Sequence, residues 1–211
     1  MDLQDEINET ATQVLNGRMQ ENYFKICSYY NDHKKEILSD FKHHISCVVD
    51  QAYMQQEKQG KRPIRYVAAS FLLSSTITES YDFQISLMDD QNFLDPIECC
   101  IYWSPKWIFV PVKDDRATLI SMAKKEHIRL HTYELDSIWR AYVCGFYYNL
   151  AGLFFAENLK KAAIAGGLEK LNLAQEVQFV FGGIMDRFAV IDTWGGKCEN
   201  EIFPGENGST V

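Results

Sequence analysis

The residues best able to do chemistry in this sequence are its histidines, cysteines and carboxylates, and their spacing limits what each could do. His43, His44 and Cys47 come nearest to a metal motif, because on a helix both histidines lie within one turn of the thiol. Imidazole nitrogen and thiolate sulfur both bind zinc, but a tetrahedral site needs further ligands or an open position. Only Cys27, His33 or a distant acid could supply them. Packing is the stronger reading, with His44 inside an apolar stripe and Cys47 a small core residue, so no metal is favoured and no cofactor is required.

Cys99 and Cys100 are adjacent, which on a strand sends their side chains to opposite faces and prevents them from gripping one ion. A reactive thiol would need exposure and a nearby cation or histidine. Glu98, Glu134, Asp136 and Asp192 could serve acid–base chemistry, yet no spacing pairs them. His127 and His131 stand four apart without the glutamate of a zinc-protease helix. Gly166-Gly167 and Gly182-Gly183 belong to no phosphate-binding loop, and no Gly-x-Ser-x-Gly elbow occurs.

The aromatic content carries more information, with 11 Tyr, 13 Phe and 4 Trp concentrated partly in one segment. Trp139, Tyr142, Phe146, Tyr147 and Phe154 share or border one helix face, and Arg140 and Asn149 could sit at its edge. Rings that combine apolar area with a polar tip suit a pocket or an interface as well as a core. The candidate ligand-binding set is therefore Trp139, Arg140, Tyr142 and Tyr147.

These residues need elements to position them. Leu3, Ile7, Val14, Tyr23, Ile26 and Tyr30 recur with gaps at helical spacing, and Ile37, Phe41, His44, Ile45, Val48 and Ala52 repeat the pattern after a break expected at Asn31-Asp32. This predicts an N-terminal helical pair ended by Gly60 and Pro63. Alternation of Phe83, Ile85 and Leu87 with polar neighbours predicts a half-buried strand. Further strands are expected over 65–78, 98–103, 107–110, 177–181 and 187–194. Helices are expected from a cap at Asp114 or Asp115 to about His127, and from Leu135 through Phe154.

The resulting class is α+β, an antiparallel or mixed sheet covered by helices. Residues 1–60 form a helical segment packed on an α+β core of 61–194, with an irregular tail over 195–211. At 211 residues and 46% hydrophobic, one domain burying roughly 70% of its unfolded surface needs no disulfide staple. A net charge of -8 argues against nucleic acid as a partner. No apolar run is long enough to span a membrane, and the scattered cysteines fit a reducing cytoplasm. The sequence thus points to a cytoplasmic interaction or small-ligand-binding module, regulatory or accessory, whose partner is a small molecule or a protein. Two alternatives stand beside it: an enzyme with a Cys/His/carboxylate or metal-assisted site, and a homodimeric scaffold joined through the N-terminal helices.

Overall fold

The computed structural model describes residues 3–126 and 132–195. The His127/His131 pair, the tail from residue 196 onward and the side chain of Glu134 lie outside the described residues. The N-terminal region is one helix, α1, Leu3–Gln59, rather than a pair. Ala11, Leu15, Ile26, Phe41, Ile45, Val48 and Ala52 are all buried, and Arg18, Asn22, Tyr30, the half-buried His33 and Ile37 fill the intervening steps of three or four. The stripe is therefore continuous, and its members Arg18, Asn22 and His33 are polar. Asn31 and Asp32 sit on its solvent face, where nothing stops a helix. The end does fall at Gly60, whose φ of 69° is the left-handed conformation that glycine adopts without strain.

Five strands follow the spatial order β3-β2-β1-β4-β5. They are β1 Ile64–Phe71, β2 Phe83–Met88, β3 Cys100–Trp103, β4 Leu173–Gly183 and β5 Phe188–Gly195. All neighbours are antiparallel except the central pair β1 and β4, which run parallel with Val67 beside Phe179. The sheet is mixed and helices cover one face. Val67, Phe83, Ile85, Leu87 and Phe179 point into that interface, while the other face carries a small cluster of Ala68, Met88 and Val180.

The strand expected through residue 78 stops at Phe71, and Ser75–Thr78 forms a single turn, α2. The strand expected at 107–110 is instead a short helix, α3, Lys106–Phe109, that starts just after Pro105 and buries Ile108 and Phe109. Apolar runs this short read equally well as either element, and Pro105 with its fixed φ starts the helical turn. Helix α4 spans Val112–Glu126, so Asp115 lies within its first turn rather than capping it.

The aromatic segment is a continuous helical rod made of α5 Asp136–Tyr142, a π-helical stretch Val143–Tyr148, and α6 Asn149–Ala165. Entering and within the π turn the inward positions are Trp139, Val143 and Tyr147; from its last residue onward they are Tyr148, Ala151, Phe155, Leu159 and Ala162. The wider turn inserts one residue, so the inward phase slips by one and two consecutive tyrosines are both buried. No described helix is long and apolar enough to cross a membrane.

A proline at Asn31 tests the unbroken helix, since it removes one backbone hydrogen bond and clashes with the preceding turn. Asn31→Pro should destabilise the protein by about 3 kcal/mol or more in urea unfolding. An unchanged midpoint would mean that the chain tolerates a break there.

Candidate interaction surface

The site begins with a buried charge. Asp115 is 0% exposed, and its carboxylate is surrounded by donors from distant parts of the chain. Its Oδ1 accepts from Arg18 Nε at 2.7 Å and Asn22 Nδ2 at 2.9 Å. Its Oδ2 accepts from Asn22 Nδ2 at 2.8 Å, Tyr142 OH at 2.8 Å and Tyr147 OH at 2.5 Å. An isolated buried carboxylate would cost many kcal/mol, and these donors together with the guanidinium replace the water it has lost. The arrangement joins α1, α4, α5 and the π turn at one point.

The phenols respond to their surroundings. Burial and then the neighbouring Asp115 carboxylate push the ionisation of Tyr142 and Tyr147 far above the ordinary tyrosine range, so both remain proton donors. The hydrogen bond to Asp115 raises the Arg18 pKa.

The four residues singled out for a ligand site therefore divide. Tyr142 and Tyr147 converge, but on Asp115. Trp139 is buried beside Tyr142, with ring centres 5.7 Å apart, and donates its indole N–H to Thr76 O at 3.2 Å. Arg140 faces solvent. The rings fill the space between α1, α4 and α5, and the convergent polar group is an acid from α4. The signal available in the sequence was the presence of Arg18 and Asn22 in phase with an apolar stripe, which requires a buried partner for each.

The metal candidates also separate. His43 Nε2 lies 3.9 Å from Cys47 Sγ, and Cys47 is exposed rather than packed in the core as its helical spacing suggests, while His44 Nδ1 meets Asp40 O at 2.9 Å. Among the described residues no three His, Cys, Asp or Glu side chains gather around a common point for an ion. Burial pushes the Cys99 thiol up to about 12 and raises Cys100 and Cys144 in the same direction, which makes them poor thiolate nucleophiles. Glu98 Oε1 takes the Cys100 S–H at 3.3 Å, Asp136 lies 3.7 Å from Arg116, and Asp192 pairs with Lys160 at 2.9 Å.

With the Asp115 network holding one side of α1, the other side faces α6 across an apolar groove. Its wider part, about 600 Å³, lies between Met19, Tyr23 and Phe24 on α1 and Phe146, Leu150 and Leu153 on the facing rod. A narrower part of about 260 Å³ continues past Ile26, Cys27 and Tyr30 to Trp107 and Phe154. Gly145 leaves the upper end open, with nothing within 4 Å of where a Cβ would stand. Phe24 is 71% exposed, Leu153 67% and Tyr23 47%, so the groove is bordered by large apolar side chains in water. The charged rim is the pair Lys34 and Glu157, 4.0 Å apart.

No family model, curated protein or solved structure matches this chain. The surface is read from its own geometry. Tyr23, placed by its spacing on the buried face of the helix, is half exposed; nothing in the sequence marks Phe24 and Leu153, because apolar residues standing singly are common on surfaces.

Asp115→Ala should cost about 3–5 kcal/mol, since it strands Arg18 and Asn22, and Tyr147→Phe about 1–3 kcal/mol. The tyrosines also set a pH dependence. Their folded pKa values are raised above the unfolded value near 10, so their contribution is complete below pH 10 and is lost as the pH climbs beyond it. Urea unfolding should therefore show stability falling above pH 10, with a shallower fall in Tyr147→Phe; parallel curves for the two proteins would contradict this account.

Proposed function

We propose that this chain is a non-catalytic interaction module, regulatory or accessory, whose working surface is the apolar groove between α1 and α6. The observation that carries this reading is the exposure of Phe24 and Leu153 on either side of one continuous groove. Large apolar side chains gathered beside a concavity mark a contact surface, whereas the same residues scattered singly would not. The occupant is the apolar face of an amphipathic helix. Two roughly parallel helical walls offer ridges and grooves into which a third helix packs, and the open side gives a helix access along its length.

Several features favour a helix over a small molecule. The narrower part, about 260 Å³, falls below the usual size of a ligand pocket, and the wider part is open to solvent along the helix axes. Asp115 and its two tyrosines are occupied with each other, and the groove's own lining offers few polar tips, the buried Tyr30 hydroxyl and Glu157 among them. This reading requires no cofactor. The five described cysteines are free thiols, which fits a reducing compartment such as the cytoplasm.

Methyl NMR of methionine-labelled protein tests the surface directly, because Met19 lines the groove and Met185, exposed on the β4–β5 turn, is not part of its lining. The probe is a synthetic amphipathic helix of about 20 residues with a leucine face and glutamine elsewhere. The Met19 signal should move with micromolar affinity while Met185 stays still, and Leu153→Asp should weaken binding at least about tenfold. A Met19 signal unmoved at about 1 mM peptide would remove the reading.

A further inference from the structure

We infer that the helix this groove receives is α1 of a second copy of the same chain, docked antiparallel about a two-fold axis that passes between the two α1 helices near Tyr23 and Phe24. The inference rests on the reading of the groove as a helix-binding surface and assigns its occupant.

The first argument is self-complementarity. A closed pair of identical subunits needs one patch that carries both a projection and the hollow to receive it. Here Phe24 and Leu153 project beside the hollow that Met19 and Leu150 help to line. A two-fold rotation sets each copy's Phe24 over the other's hollow, and no second surface has to be found.

Charge is the second argument. Asn16, Gln20, Tyr23, Cys27 and Tyr30 succeed one another along α1 at steps of four and three, a seven-residue repeat that keeps one seam facing a partner helix. None of these five is charged; the next position of the repeat is Lys34, which stands 4.0 Å from Glu157. Arg18, Glu21 and Lys25 lie off this seam and are tied to each other or to Asp115. In a molecule of net charge -8, two copies repel at most approaches, and an uncharged seam is where they can meet at least cost. A strongly basic partner helix would find no acid among these five residues, and Glu157, which lines the groove, stands beside Lys34.

The third argument is area. From Asn16 to Lys34 the helix runs about 27 Å, and two helices side by side present a strip about 20 Å wide. That is about 500 Å² per copy and about 1,000 Å² for the pair, at the lower limit of specific interfaces. The dimer should accordingly be weak and concentration-dependent.

Sedimentation equilibrium of the full chain between about 10 μM and about 1 mM tests this. The average mass should rise toward twice the monomer mass, and association should tighten with added salt as the mutual repulsion of the acidic copies is screened. Phe24→Asp should shift the association at least about tenfold toward monomer and Phe24→Ala by less, both with the wild-type thermal transition because Phe24 is exposed. Leu94→Asp, an equally exposed apolar position on the β2–β3 connection, should behave as wild type. A wild-type chain that stays monomeric throughout, a dimer indifferent to Phe24→Asp, or association weakened by salt would overturn the proposal. If the chain is monomeric while the Met19 methyl still moves with the synthetic helix, self-association fails and the groove reading survives; if both are silent, both fail.

Discussion

The carboxylate of Asp115 is the constraint on which the rest depends. A charge with no exposed surface must find donors, and these come from residues 97 and 93 positions away on α1 and from two tyrosines on the aromatic rod. An apolar stripe alone specifies which face of a helix is buried but says little about its position along the axis, because one turn of sliding replaces alanine by leucine at modest cost. Hydrogen bonds with fixed partners do specify it. Near the other end of the same helix, buried Lys61 reaches Asp95 and Ile97 O, both at 2.5 Å, and pins the chain where it leaves α1. The long helix is therefore tied by polar contacts near both ends, and between them Asp40 accepts the indole N–H of Trp103 at 2.8 Å.

The π turn has a related effect. By slipping the inward phase by one residue, it lets Tyr147 serve the Asp115 network while Tyr148 stacks on Phe71, ring centres 4.2 Å apart, within the sheet-facing core. Without the extra residue one of these tyrosines would face away from its partners. The same widening, next to glycine at 145, leaves α1 and the rod imperfectly closed on their outer side. The groove is in this sense the outer consequence of satisfying a charge inside, and the aromatic content of the chain divides between rings that seal the interior and a few that stay in water.

Much of the fold was legible because it follows from local periodicity. The alternation at Phe83, Ile85 and Leu87 and the stop at Gly60 and Pro63 depend on neighbours in sequence; the closing hairpin was legible too, although Gly182 and Gly183 end β4 and its turn is formed by residues 184–187. The single long helix was not legible, since Arg18 and Asn22 interrupt the apolar stripe and only their distant acid explains why they belong to it. The aromatic site was half legible: helical spacing brought Tyr142 and Tyr147 together, but nothing local identified Asp115 as their focus or turned Arg140 outward. The groove was least legible, because residues that look like ordinary helix-face apolar positions become its rim only once α6 lies beside α1.

The parallel pairing of β1 with β4 has a consequence in time. Val67 finds its neighbour Phe179 about a hundred residues later, so the sheet has no centre until nearly all the described chain has been made. At typical synthesis rates of roughly 5–20 residues per second, α1 and the first three strands wait on the order of ten seconds for the rod and the closing hairpin. During that interval the part of the α1 stripe that α4 and the rod cover is exposed, in addition to the part that stays exposed in the finished protein. Such high contact order slows folding and lengthens the time for which that surface is open to aggregation.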